Sequence, residues 1–141
     1  MKLSVIIPVY NEVETIDAIV ARVLAVPIEH EIVLVNDGSR DGSPEAIDRL
    51  SAPLVKVAHH DVNQGKGAAV LTGLHIASGD VVIIQDADLE YDPQDFTRLI
   101  QPILDGKADI VYGVRQLDTQ KWVMRWGNRF VTLVTNLLYG Q

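Results

Sequence analysis

The chain has 141 residues, 48% hydrophobic and 22% charged, which fits about one globular domain with a sizeable core. It contains no cysteine, which excludes a disulfide framework or a thiolate metal site and is compatible with a reducing compartment. The net charge of −7 is uneven, with a local +3 over residues 111–141 against −10 for the rest; the acidic body argues against nucleic-acid binding, while the basic end suits phosphate or an anionic surface.

Strands and helices alternate along the chain. Leu3-Ser4-Val5-Ile6-Ile7 reads as a first buried strand, and one Lys before a strand pattern broken at Pro8 is not a signal peptide. From Glu12, the apolar positions Val13, Ile16, Ile19, Val20, Val23 and Leu24 predict a helix capped by Asn11. Glu31-Ile32-Val33-Leu34-Val35 is the second strand, and Ser43-Pro44-Glu45 opens a short helix with cap, proline and early acid in order. Leu54-Val55-Lys56-Val57 is the third strand, and Gly67 to Ala77 a helix of small residues. Val81-Val82-Ile83-Ile84 is the fourth strand, followed by a helix from Pro93 with Asp92 as its cap. Ala108-Asp109-Ile110-Val111-Tyr112 is predicted as a fifth strand. No apolar run approaches the roughly 20 residues needed to span a bilayer.

This order implies an α/β fold, a mainly parallel Rossmann-like sheet flanked by helices. Ligands in such sheets bind beyond the carboxyl ends of the strands. Those ends carry Pro8, Tyr10, Asn11 and Glu12; then Asn36, Asp37, Gly38 and Ser39; then Asn63, Gln64, Gly65 and Lys66; then an acidic stretch; then Gly113 and Arg115. Such a rim describes an active site.

The acidic stretch is the most informative. Asp86, Asp88 and Glu90 arrive at alternate positions, and in extended backbone they would point the same way. Crowded carboxylates repel unless a cation offsets them, and oxygen-only ligands suit Mg²⁺ or Mn²⁺. A helix-capping loop explains Asp92 but not the other three. Asp37 sits in a tight turn, where a carboxylate accepting from a base or ribose and a local Asx-turn both remain open. Tyr10 and Glu12 can stack on and hydrogen-bond a base, although Glu12 also favours a helix N-terminus. Lys66, between Gly65 and Gly67, can meet a diphosphate. The segment is not a Walker loop, since Gly67 is neither Ser nor Thr and His60 stands at the earlier glycine position. No G-x-G-x-x-G follows strand one, which counts against a dehydrogenase. His59, His60 and His75 lack ligand-like spacing and read as structural or solvated.

Four ordered motifs carry a family resemblance. Val5-Ile6-Ile7-Pro8-Val9-Tyr10-Asn11-Glu12, the run Val35 to Ser43, Asn63-Gln64-Gly65-Lys66-Gly67 and Asp86-Ala87-Asp88 resemble family 2 glycosyltransferases of the GT-A fold. Gln85 to Glu90 and Gly113-Val114-Arg115 resemble the polyprenyl-phosphate (dolichyl-phosphate) hexosyltransferase branch, whose members often show Gln where this chain has Glu90. The resemblance implies a GDP- or UDP-hexose donor, a divalent metal and inversion at the anomeric carbon. By motif, Pro8, Tyr10, Glu12 and Asp37 form the nucleotide pocket, together with Lys66 and Asp86. Asp86, Asp88 and Glu90 surround the metal, and Lys66 and Arg115 join Asp86 and Asp88 in the catalytic set. The implied acceptor is a polyprenyl phosphate, and the expected location is cytoplasmic, peripheral at a membrane surface.

Residues 1–114 are therefore expected to form the nucleotide-sugar-binding domain, and 115–141 the start of an acceptor- or membrane-facing region in a fragment of a longer enzyme. A polysaccharide-extending enzyme and a non-catalytic nucleotide-sugar-binding module are the alternatives. A sugar nucleotidyltransferase lacks support, because Pro8-Val9-Tyr10-Asn11 is not a glycine-rich loop. From Lys121, Trp122, Val123, Trp126, Phe130, Leu133, Val134, Leu137 and Leu138 recur at three- and four-residue steps. That pattern predicts an amphipathic helix, either packed on protein or lying in a headgroup layer. In the second case Arg115, Arg125 and Arg129 are candidates to hold an acceptor phosphate.

Overall fold

The two longest strands lie side by side at the centre of a parallel sheet. The structure, a computed structural model, describes residues 1–113. Its elements are β1 (Leu3–Val9), α1 (Ile16–Leu24), β2 (His30–Asp37), α2 (Ser43–Leu50), β3 (Val55–His60), α3 (Lys66–Ile76), β4 (Val81–Ile84), a 3-10 turn (Pro93–Asp95) and α4 (Phe96–Leu104). The strands run in the order β3-β2-β1-β4, all parallel. Met1–Val111 forms one compact unit.

Because β1 and β2 are covered on both faces, their sequences are near-continuous in apolar residues rather than alternating. Val5, Ile7, Ile32 and Leu34 pack with Ile16, Ile19 and Val23 of α1, Ile47 of α2, and Phe96 and Ile100 on the α4 side. Ile6, Val33 and Val35 pack against Ala69 of α3. The small residues of α3 have a cause here: a Cβ on Gly73 would lie 2.4 Å from Ile6 Cγ2, so only a bare backbone lets this helix sit so close to the sheet.

Several boundaries depart from the sequence expectation. The first helix begins at Ile16 rather than Glu12, after a turn in which Asn11 takes a left-handed φ of 57° and caps nothing in α1. β3 extends to His60, and the helix expected from Pro93 opens with a 3-10 turn capped, as expected, by Asp92 accepting from the Gln94 N–H at 3.0 Å. The run Ala108–Tyr112 is not a strand, and Ile110 and Tyr112 are 69% and 84% exposed. An apolar β-branched run becomes a strand only where it finds a ladder partner, and among the described residues the sheet ends at β4.

At the amino end of the sheet, the carboxylate of Glu31 is 2% exposed. It accepts from Lys2 Nζ (2.5 Å), Ser4 Oγ (2.8 Å), Ser78 N–H (2.6 Å) and Ser78 Oγ (2.8 Å), with Lys56 Nζ 3.1 Å away. Burial pushes this carboxyl upward, but the bonds from Lys2, Ser78 and Ser4 outweigh it and hold the group well below the usual range. Glu31→Ala is expected to cost about 3 kcal/mol at neutral pH, because it removes several charge-assisted bonds at once. A depressed carboxyl stabilises the fold above its unfolded value and loses that contribution as pH falls. Acid unfolding curves should therefore show the wild-type advantage over Glu31→Ala shrinking below about pH 4.3; a constant difference would contradict the assignment.

Candidate active site

Since all four strands run parallel, their carboxyl ends share one rim, and a cleft of about 470 Å³ opens there. Pro8, Tyr10 and Glu12 reach it from the end of β1, Asp37 from β2, Asn63, Gly65 and Lys66 from the β3–α3 loop, and Asp86 and Asp88 from the end of β4. Nine residues of the expected rim thus line one cavity, including Pro8, Tyr10, Glu12, Asp37, Lys66, Asp86 and Asp88. Another cleft of similar size, about 460 Å³, lies along α4, but its one lining carboxylate, Asp105, already accepts from Lys107 and Gln101. Arg115, Arg125, Arg129 and the segment from Lys121 lie outside the described residues.

Asp37 is buried, and its carboxylate holds the β3–α3 loop. Oδ1 accepts from the Gln64 N–H (2.9 Å) and His60 Nδ1 (2.7 Å), and Oδ2 accepts from the Gly65 N–H (2.8 Å). Burial opposes ionisation, but the Gln64 amide, His60 and the Gly65 amide outweigh it and lower the pKa below the ordinary carboxyl value. The side-chain bond across this turn comes from the neighbour, Asn36, whose Oδ1 accepts from the Ser39 N–H, three residues on, at 3.0 Å. Two oxygens offer about four acceptor directions, and three are taken, so Asp37 keeps one, on Oδ2.

The rest of that motif clamps the β1–α1 loop, a role the sequence reading missed. Ser39 Oγ accepts from the Asn11 N–H (3.0 Å), Ser43 Oγ from the Glu12 N–H (2.9 Å) and Asp41 Oδ2 from the Val13 N–H (3.2 Å). In return, Asn11 Oδ1 accepts from the Arg40 N–H at 2.8 Å. These ties fix the backbone that presents Tyr10, which is 47% exposed at the cleft. Glu12 lines the cleft, and its carboxylate accepts from Thr15 Oγ1 at 2.8 Å ahead of α1.

The acidic stretch is a turn rather than an extended segment. Buried Gln85 donates through Nε2 to the carbonyls of Asp86 (3.0 Å) and Tyr91 (3.3 Å), which ties the two ends of the turn together. Leu89 adopts a φ of 63°, and Asp88 Oδ1 accepts from the Glu90 N–H at 3.0 Å. The alternation that would have aligned three carboxylates is broken, and Glu90 is not among the cleft-lining residues. Among the described residues, no three His, Cys, Asp or Glu side chains gather into a metal cage. Asp86 and Asp88 alone fit a different arrangement: Mg²⁺ or Mn²⁺ commonly takes one or two protein carboxylates and completes its shell with water and ligand phosphate. Lys66 Nζ lies 2.5 Å from Asp86 Oδ1, but with 61% of its side chain exposed this pair adds little stability and leaves the ammonium at the cleft mouth.

Comparison with known proteins follows the same geometry. The family model described as Glycosyl transferase family 2 matches residues 4–139. A dolichol-phosphate mannosyltransferase of Pyrococcus furiosus is 39% identical over 129 residues, covering 89% of this chain and 36% of that protein. An undecaprenyl-phosphate 4-deoxy-4-formamido-L-arabinose transferase of Aeromonas hydrophila is 35% identical over 137 residues, covering 92% of this chain and 41% of that protein. Among solved structures, a mannosyltransferase from Pyrobaculum calidifontis, in complex with GDP-Man and Mn²⁺, has a TM-score of 0.60 at 31% identity, covering 66% of this chain and 29% of that one. The chain thus spans about two fifths of the length of the curated relatives it matches.

Proposed function

This chain belongs to glycosyl transferase family 2 and has the GT-A fold, and we propose that it serves transfer of a hexose from a nucleotide-diphosphate sugar to a polyprenyl phosphate, with inversion at the anomeric carbon. The observation that carries this reading is the convergence of Asp37, Lys66, Asp86 and Asp88 on one cleft at the carboxyl ends of parallel strands. The names of the relatives, which act on dolichol or undecaprenyl phosphate, support the acceptor class.

Each residue has a physical task in this reading. Tyr10 offers a face for the base, and the remaining acceptor direction of Asp37 takes one N–H or O–H of the nucleoside. Lys66 and the first amides of α3, which begins in the cleft, favour the diphosphate. Asp86 and Asp88 would hold a divalent Mg or Mn ion, which, when bound, neutralises charge on the leaving nucleoside diphosphate. Lys66 contributes in the same direction, and more strongly as negative charge builds on the leaving group. A lipid phosphate is anionic near neutral pH, so its attack needs no general base, whereas a sugar hydroxyl acceptor would need one. The reading is tested by a lipid-phosphate transfer assay run beside a donor-hydrolysis assay. Transfer to lipid supports it, and nucleotide-sugar binding without either reaction identifies a binding module instead.

Lys66→Ala is expected to weaken nucleoside diphosphate binding by about 1.5–3 kcal/mol while leaving the bare nucleoside nearly unchanged. Equal losses for the two ligands would make Lys66 a loop-shaping residue. For the membrane, no helix among the described residues is long and apolar enough to cross a bilayer. The aromatic and basic pattern from Lys121 onward favours the headgroup layer. The chain is expected to pellet with anionic liposomes at low salt, and Trp122→Ser combined with Trp126→Ser to release it. Absence of sedimentation under those conditions rules out the interfacial role.

A further inference from the structure

One largely enclosed side chain at the rim has no part in the proposed transfer. His60 is the last residue of β3, and the parallel register sets it directly beside Asp37 at the end of β2. Its side chain is 9% exposed and uses both ring nitrogens. Nδ1 lies 2.7 Å from Asp37 Oδ1, and Nε2 lies 2.9 Å from Thr72 Oγ1 of α3. An ionised carboxylate only accepts, so the proton sits on Nδ1, and in the neutral ring Nε2 accepts from the threonine hydroxyl. Asp37 in turn holds the Gln64 and Gly65 amides, immediately before Lys66.

We propose that His60 is a positioning residue: by donating from Nδ1 to Asp37 Oδ1, it sets the carboxylate that holds the Gln64 and Gly65 amides, and so fixes the loop that presents Lys66 to a diphosphate ligand. Without the ring, the Asp37 carboxylate is held by the Gln64 and Gly65 amides alone. Its grip on both amides and the setting of its remaining acceptor direction then loosen together. The inference rests on the nucleotide reading of the cleft for its consequence, but not for its geometry.

Two replacements separate the two ends of the ring. His60→Asn places an amide N–H near the Nδ1 position and keeps the bond to Asp37. His60→Gln reaches instead toward the Nε2 position and keeps only the Thr72 side. Amide hydrogen exchange at Gln64 and Gly65 and calorimetric titration with a nucleoside diphosphate are read in parallel. In His60→Gln, exchange at both amides is expected to speed up at least tenfold and the Kd to rise at least tenfold. In His60→Asn and in Thr72→Val, both readouts should stay within threefold of wild type. Equal behaviour of the Asn and Gln variants overturns the proposal, since a merely space-filling histidine would not distinguish them. If His60→Gln does not fold, the wild-type chain still decides: nitrogen-resolved spectra must show His60 protonated at Nδ1, and a ring bare at Nδ1 overturns the proposal. If the wild type binds no nucleoside diphosphate, the reading of the cleft fails, while amide exchange and the tautomer still decide what His60 does.

Discussion

Replacing Asp88 by Asn is expected to weaken metal-supported binding of UDP or GDP by about thirtyfold, roughly 2 kcal/mol. Asp88 is one of two carboxylates that the strand end of β4 brings to the cleft, and its exposed position leaves it accessible to a hydrated cation. An amide keeps the shape and the bond to the Glu90 N–H but gives up the negative charge that a hard divalent ion requires. The fold should be indifferent to the change, since the side chain is at the surface. Unchanged nucleotide affinity in Mg²⁺ or Mn²⁺ would remove Asp88 from the metal site. The same substitution at Glu90, which lies outside the cleft lining, is expected to have a much smaller effect.

Gly38→Ala should be among the most damaging single-methyl changes in the described residues. Gly38 has a φ of +67°, and a Cβ there would stand 2.4 Å from the Asn63 nitrogen and 2.5 Å from the Val62 carbonyl carbon. Both obstacles are backbone, so no side chain can swing away. The left-handed conformation costs a non-glycine residue about 1–2 kcal/mol, and forcing the loop outward costs roughly 1–3 kcal/mol more. That loop carries the amides held by Asp37, so nucleotide binding should fall along with the denaturation midpoint. A variant with native stability and native affinity would show that the turn and the loop move apart without penalty. Gly65, whose Cβ would meet nothing within 4 Å, provides the contrast: its φ of +92° predicts strain without collision.

The parallel sheet and the rim were legible because both depend on local pattern. Buried parallel strands need unbroken apolar runs, and their polar ends follow in sequence. Pairings across the sheet were not legible. His60 has no useful sequence spacing to Asp37, yet the β2–β3 register makes them neighbours. Likewise Ser39, Asp41 and Ser43 read as turn residues, and only the approach of the β1–α1 loop shows them gripping its amides. The acidic triplet misled for a related reason. Its alternation implies a common face only in extended backbone, whereas Gln85 and a left-handed Leu89 fold the segment into a turn. The run at Ala108–Tyr112 has strand composition without a ladder among the described residues. Small residues in α3 were visible in sequence, but their purpose, close contact with Ile6, was not.

In the proposed reading, the cleft binds a nucleoside diphosphate through a divalent ion held by Asp86 and Asp88. Calorimetric titration of the chain with UDP and GDP, once with Mg²⁺ or Mn²⁺ and once with excess chelator, tests it most directly. Saturable binding of at least one nucleotide with the ion, and a loss of at least tenfold in affinity on chelation, are expected; equal affinity in the two titrations rules out a metal-bridged site.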